Sequence, residues 1–248
     1  MTALNQNAYI YNSHQQSDYD AFDHAVRVFV EPKALTNEKS VLARCCTCNS
    51  AVNSFEYATR NTHSEVPGTL LRVVDGDRIV PEMLVLSQIG SIICRVIKGR
   101  LTELSVRFDR QLKVGEDLKV EVQMRESFSS SIIRYFVAKV GRKVVAEGLV
   151  TAETAESNED QPVNPFFATG LFSALVNTKL PGPGASFRSL DLTFDSEFQP
   201  SMPLRTIGSL ECIESGTGIL RIDLFCMSTL GIVAHATAKV QQSNSAAP

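Results

Sequence analysis

Long apolar runs are missing from this chain of 248 residues: none approaches 18 residues, the length a membrane-spanning helix needs. A charged-then-apolar leader is missing as well, so the expectation is a soluble, unexported, cytoplasmic protein with no membrane insertion. The formal net charge is only −3 and no basic patch stands out, which argues against nucleic acid as a partner. Paired cysteine spacing is lacking too. Cys45, Cys46, Cys48, Cys94, Cys212 and Cys226 fit a reducing compartment better than a disulfide framework. Tryptophan is absent, and that excludes nothing. There is no Gly-x-Ser-x-Gly elbow, which argues against an α/β-hydrolase. The stretch PGPG at 181–184 lacks both the GxGxxG pattern and a Walker lysine, so it implies a turn and no nucleotide phosphate. VDGDR at 74–78 lacks the further oxygen ligands of a calcium loop.

What is present is mostly alternation. AVRVFV, LTELSVRF, DLKVEVQM, IIRYFVAKV, KVVAEGLV, SFRSLDLTF, LRTIGSLECI, ILRIDLFCM and IVAHATAKV have the period of two expected of half-buried strands. KVGED, VGRK and SGTG separate several of them as turns. Two segments depart from that period, at about 81–97 and 165–180. The first carries Met83, Leu84, Leu86, Ile89, Ile92 and Ile93; the second carries Leu171, Phe172, Leu175 and Val176. Both are apolar nearly all round, with small residues interspersed, as in a helix enclosed on most sides.

The strands repeat. LSVRFDRQL (104–112) matches LDLTFDSEF (190–198), and VVAEGLVTA (144–152) matches IVAHATAKV (232–240), at offsets of 86 and 88 positions. So constant an offset implies duplication of one unit: a buried helix followed by four antiparallel strands. Two such units set edge to edge would satisfy each other's exposed strand edges. The expected organisation is a flexible arm at 1–20, a first unit at 21–155 with its own N-terminal strand near 24–36, a second unit at 156–242, and a tail at 243–248. The fold class is α+β.

LPGPGASFRSLDLTF (180–194) is similar to the strand entry of the MaoC-like double hot-dog family, the (R)-specific enoyl-thioester hydratases and their dehydratase relatives. RIVPEMLVLSQIGSI (78–92) is similar to that family's helix start, usually Arg-Pro-Ile-Val-His-Gly-Met-Leu. ATRNTHSE (58–65) looks like a shortened form of its catalytic loop, Gly-Asp-x-Asn-Pro-x-His-x-Asp, and DQPVNPFF (160–167) is a second echo. The resemblance spans most of residues 25–241. It implies two antiparallel sheets, each wrapped on a central helix and fused as a pseudo-dimer. It also implies a hydratase or dehydratase interconverting 3-hydroxyacyl and 2-enoyl thioesters on coenzyme A or an acyl carrier protein, without a cofactor. A non-catalytic acyl-thioester-binding or partner subunit, or a hot-dog thioesterase or cyclase, are the alternatives. Self-association into a homodimer stays open.

Hydration needs a base for water, an acid for the α carbon and a donor for the enolate oxygen. The resemblance puts His63 on the family histidine and Asn61 on its asparagine, while the aspartate position falls near Thr59 or Arg60, where no acid stands. Glu65, two residues beyond His63, and Glu82, at the helix start, are the carboxylates that complete the catalytic set. The family's His-Gly pair is replaced by Pro81-Glu82 in the first unit and by Thr169-Gly170 in the second. Thr169, Gly170 and Asn164 are therefore the substrate-binding candidates, with the Gly170 amide as the oxyanion donor. No metal site is expected: the CCTC stretch (45–48) lacks a fourth ligand at a usual spacing. His235 stands where the first unit has Glu147, and a structural role is favoured there.

Overall fold

The computed structural model describes residues 9–13, 40–45, 73–74, 77–97, 99–128, 130–154, 165–182, 184–196, 203–214 and 217–242. In chain order the elements are β1 (Tyr9–Ser13), β2 (Ser40–Cys45), β3 (Val73–Val74), β4 (Asp77–Val80), α1 (Glu82–Val96), β5 (Gly99–Phe108), β6 (Leu112–Lys113), β7 (Leu118–Ser127), β8 (Ser131–Val140) and β9 (Lys143–Thr154). Then follow α2 (Phe167–Thr178), β10 (Ala185–Phe194), β11 (Leu204–Glu214), β12 (Ile219–Ser228) and β13 (Gly231–Gln242). Ten strands form one antiparallel sheet in the order β1-β11-β12-β13-β10-β5-β9-β8-β7-β2. That order reads as two mirrored runs of five strands meeting at β10 and β5. Each run is one helix-plus-four-strand unit with one further edge strand.

The alternation of side chains decides which face is covered. On β5, Leu104, Val106 and Phe108 are buried while Ser105 and Arg107 are exposed; on β13, Ala234, Ala236, Ala238 and Val240 are buried around outward-facing His235 and Thr237. The buried rows of both halves and both helices make one hydrophobic core. Met83, Leu84, Leu86, Ile89, Ile92 and Ile93 of α1 have no exposed surface. Burial of such side chains stabilises by about 1.5–3 kcal/mol each. A helix this apolar has no face to offer water, and the sheet is what removes it from water.

The duplication extends to backbone irregularities. The β5–β9 ladder skips Thr102 and the β10–β13 ladder skips Arg188. The β7–β8 ladder skips Arg125 and the β11–β12 ladder skips Glu211. The β8–β9 ladder skips Val145 and the β12–β13 ladder skips Val233. These three bulges recur at the two offsets that align the repeated sequences. The carbonyls of the last pair even serve the same purpose: Val145 O accepts from the Asp109 amide (2.9 Å), and Val233 O accepts from the Asp195 amide (2.8 Å). A bulge bends its strand and raises the local twist, so the two halves share their shape as well as their strand order.

One expectation changes. Part of the polar stretch read as a loose arm is strand β1, which pairs antiparallel with β11, Tyr9 opposite Gly208 and Ser13 opposite Leu204. Tyr-Ile-Tyr supplies the aromatic and branched side chains a short edge strand favours, and β11 supplies the unpaired edge that recruits it. The strand expected near 24–36 lies outside the described residues; the edge strand on the first half is β2, paired with β7.

Gly148 lies in the middle of β9, where a Cβ would stand 2.0 Å from the Ser105 carbonyl oxygen and 2.8 Å from Phe136 Cζ. Backbone cannot yield as a flexible side chain can. Gly148→Ala is expected to destabilise the protein by about 1–3 kcal/mol, read as a lowered midpoint in urea with an unchanged slope; a midpoint equal to the parent's would refute this packing argument.

Candidate functional site

Both central helices start without a side-chain cap. Before α1, Pro81 is extended (φ −56°, ψ 133°), and its carbonyl accepts from the Leu84 (3.0 Å) and Val85 (3.2 Å) amides. Glu82 is the first helical residue and is buried. It is the only acidic or basic residue in the buried set of the described residues. The positive end of the helix dipole favours a carboxylate at that position.

The start of α2 is built differently. The chain turns through Pro165 and Phe166, and the Ala168 and Thr169 amides donate back to the Pro165 (3.3 Å) and Phe166 (3.0 Å) carbonyls. Thr169 Oγ1 also donates to Phe166 O (2.6 Å). The first-turn amides that could meet a ligand are thus partly committed to the turn. Gly170 stands four residues beyond the N-cap Phe166, where an amide already belongs to the intrahelical ladder. That position does not suit the oxyanion role the resemblance gives it, because the free donors of a helix lie in its first three residues.

The two helices meet through polar and small residues. Ser87 Oγ and Thr169 Oγ1 are 2.9 Å apart, both fully buried, and Ser87 Oγ also donates to Met83 O at 2.6 Å. Two hydroxyl protons therefore serve three close contacts, and each hydroxyl can turn its proton either to its own helix or to the other. Beside them, the Phe166 ring lies against the backbone of Gly90. A Cβ there would come within 2.3 Å of the ring. The same ring meets Phe194 edge to face, centroids 5.5 Å apart.

Of the residues the sequence points to, Glu82, Thr169 and Gly170 are described, and all are buried. Thr169 joins α1 at Ser87, five residues beyond Glu82, or roughly 7 Å further along the helix axis. The structure thus brings the second helix start against the first helix at Ser87. His63, Asn61, Glu65 and Asn164 lie outside the described residues, as do Cys46 and Cys48. Among the described residues no group of three or more His, Cys, Asp or Glu side chains could hold a metal ion. Sequence reasoning gave no role to Ser87 or to the fully buried Gln88; the available signal was a polar Ser-Gln pair inside an otherwise apolar helix.

The opposite face of the sheet carries a separate polar network. Tyr135 Oη donates to Glu147 Oε2 (2.7 Å), Arg107 binds Glu147 Oε1 (2.6 Å) and Asp109 Oδ1 (2.8 Å), and Ser105 Oγ donates to Asp191 Oδ1 (2.6 Å). Ser105, Arg107, Tyr135, Glu147 and Asp191 line an open groove of about 380 Å³ across β10, β5, β9 and β8. In the second half, His235 Nδ1 lies 2.7 Å from Asp195 Oδ2, and its ring stacks on Phe225. His235 thus sits on the outer face, away from the helices. Partial burial, and then the hydrogen bond to Glu147, push the Tyr135 hydroxyl up to about 12.

No protein-family model and no curated protein sequence matches the chain. Solved structures do. A protein with the hot-dog fold from Alicyclobacillus acidocaldarius superposes with a TM-score of 0.58 at 12% identity, covering 92% of this chain and 98% of its own. Acyl-CoA thioesterase II TesB2 from Mycobacterium marinum gives 0.53 at 12% identity, covering 69% and 94%. The 12:0-ACP thioesterase from Umbellularia californica gives 0.52 at 11% identity, covering 70% and 95%. At such identities the likeness concerns the fold, and the fold is a hot-dog fold, present here twice in one chain.

Two measurements probe this geometry. Gly90→Ala should cost about 1–3 kcal/mol, because the buried Phe166 ring has no room to retreat; a crystal structure of the variant with the ring unmoved and no loss of stability would contradict it. For Tyr135, the folded protein holds the phenolic proton more tightly than the unfolded chain does. That contribution is complete below about pH 10 and disappears as the pH climbs towards 12. Over that interval the parent should lose stability more steeply than Tyr135→Phe, and parallel curves would disprove the assignment.

Proposed function

We propose that this chain acts on an acyl thioester and hydrolyses it. The observation that carries the reading is Glu82: a buried carboxylate at the first position of an enclosed, apolar helix in a hot-dog fold. Thioester hydrolysis can proceed with one general base. Glu82 takes a proton from water, the water oxygen adds to the thioester carbonyl carbon, and the C–S bond breaks to leave a carboxylate and a free thiol. His63, Asn61, Glu65 and Asn164 are assigned to the same centre, with Thr169 and the α2 start beside the bound substrate. The acyl tail runs along the apolar flank of α1. Neither a metal nor a redox cofactor is needed for this reaction. The thioesterase names carried by structures of the same fold support hydrolysis over addition of water to a double bond.

Hydration of a 2-enoyl thioester is the second reading, favoured by the LPGPGASFRSLDLTF stretch. It asks for an acid as well as a base, and Glu82 with His63 would be the pair. Saturated and 2-enoyl thioesters distinguish the two: hydrolysis releases thiol from both, whereas hydration removes the conjugated enoyl absorbance without releasing thiol. Glu82→Gln is expected to lower kcat by about 100-fold or more while the thermal midpoint stays within a few degrees of the parent's. Full activity in that folded variant would remove Glu82 from the reacting centre.

A further inference from the structure

The end of the sheet nearest Glu82 is set by register. Val80, two residues before Glu82, pairs with Leu112, and Ile79 pairs with Lys113. The chain leaving β5 reaches that pairing through Asp109, whose amide donates to Val145 O just inside β9. The turn between β8 and β9 therefore projects from the same end of the sheet as the start of α1. It is a two-residue turn, Gly141-Arg142, closed by the Val140–Lys143 pair, with Gly141 at φ 59°.

Charge is unevenly placed at this end. Among the described residues the acids at this end are already occupied: Asp77 by Lys113, Asp109 by Arg107, Glu116 by Arg110 and Asp117 by Lys119. Lys139, Arg142 and Lys143 form no ion pair among the described residues, and Arg142 and Lys143 are exposed. Lys139 also stands directly opposite Lys119 in the β7–β8 ladder, a like-charge juxtaposition that weakens strand pairing. In the second half the corresponding ladder position pairs Arg205 with Met227, and the corresponding turn is Thr229-Leu230, with no charge at all. The cationic turn thus belongs to one copy of the duplicated unit, the copy that owns Glu82, in a chain whose net charge is negative.

We infer that the β8–β9 hairpin is the docking surface for an acidic carrier protein that presents the thioester to the α1 start. This rests on the reading that the substrate is an acyl thioester. A two-residue turn is a convex tip. It offers no cleft in which a nucleotide could be enclosed, and it suits the acidic surface of a partner protein. Cations placed beside a site speed encounter with an anionic partner and make it salt-dependent.

The test compares three substrates: a decanoyl group on an acidic type II acyl carrier protein, on coenzyme A, and on N-acetylcysteamine. In the Arg142→Glu/Lys143→Glu variant, kcat/KM for the carrier-protein substrate should fall at least ten-fold through KM, with the N-acetylcysteamine thioester unaffected. Arg205→Glu, the charge on the other half, should behave as the parent, and added salt should reduce only the parent's advantage on the carrier-bound substrate. Unchanged kinetics on the carrier-bound substrate would overturn the inference. So would an equal loss on coenzyme A, which would mean that the hairpin reads phosphate, or an equal loss on the small thioester, which would mean a structural role. If the parent turns over none of the three, the hydrolytic reading fails by itself. Binding of the unacylated carrier protein then decides the docking surface: a ten-fold weaker Kd in the variant upholds it, and an unchanged Kd ends it.

Discussion

The antiparallel pairing of β5 with β10 holds the molecule together. Ser189–Thr193 and Glu103–Arg107 run past each other with Asp191 opposite Ser105. The offset of 86 carries Ser105 onto Asp191, so the pseudo-twofold axis passes through that pair, and the Ser105–Asp191 hydrogen bond marks it on the outer face. Beneath it Leu104, Val106, Leu190 and Leu192 are buried. Without this pairing each half would expose a strand edge and an apolar helix flank together. With it, the two helices are forced into contact, and the Ser87–Thr169 and Gly90–Phe166 meetings follow from where the axis falls.

The copies kept their backbone and changed their chemistry. Three bulges recur at equivalent positions, which preserves twist and therefore the seat for each helix. Several outward side chains at corresponding places do not agree. Glu147 corresponds to His235, Arg107 to Thr193 and Tyr135 to Asp223, and the first helical residue is Glu82 in one half and Phe167 in the other. A backbone constraint acts on every residue that shares the sheet, whereas outward side chains and helix-start residues are held only by local contacts. One half can thus keep a buried carboxylate while the other fills the same kind of position with an aromatic ring.

Much of this was legible in the sequence, and the reasons are physical. The helix ranges near 81–97 and 165–180 stand close to Glu82–Val96 and Phe167–Thr178, because a run that is apolar on all sides cannot alternate as a strand does. The four strands after each helix followed from a period of two. The edge-to-edge joining of the two units followed from the repeat and from the need to cover edges. β1 was hidden because five residues within an Asn/Gln-rich stretch carry little local signal; their state is decided by a partner strand near residue 206. The Ser87–Thr169 contact was equally out of reach, since it depends on how two helices cross. Glu82 was visible as an acid at a helix start, although its burial was not.

The position of β1 has a consequence for how the molecule assembles. Its partner β11 lies some 190 residues further along the chain, yet β1 closes the outer edge of the last-made half. At synthesis rates of about 5–20 residues per second, β1 waits roughly 10–40 seconds on the ribosome before a partner exists, while the first half already has all its strands. β1 emerges before every other described strand and is thus among the last to dock, and the order of manufacture runs opposite to the order of completion at that rim.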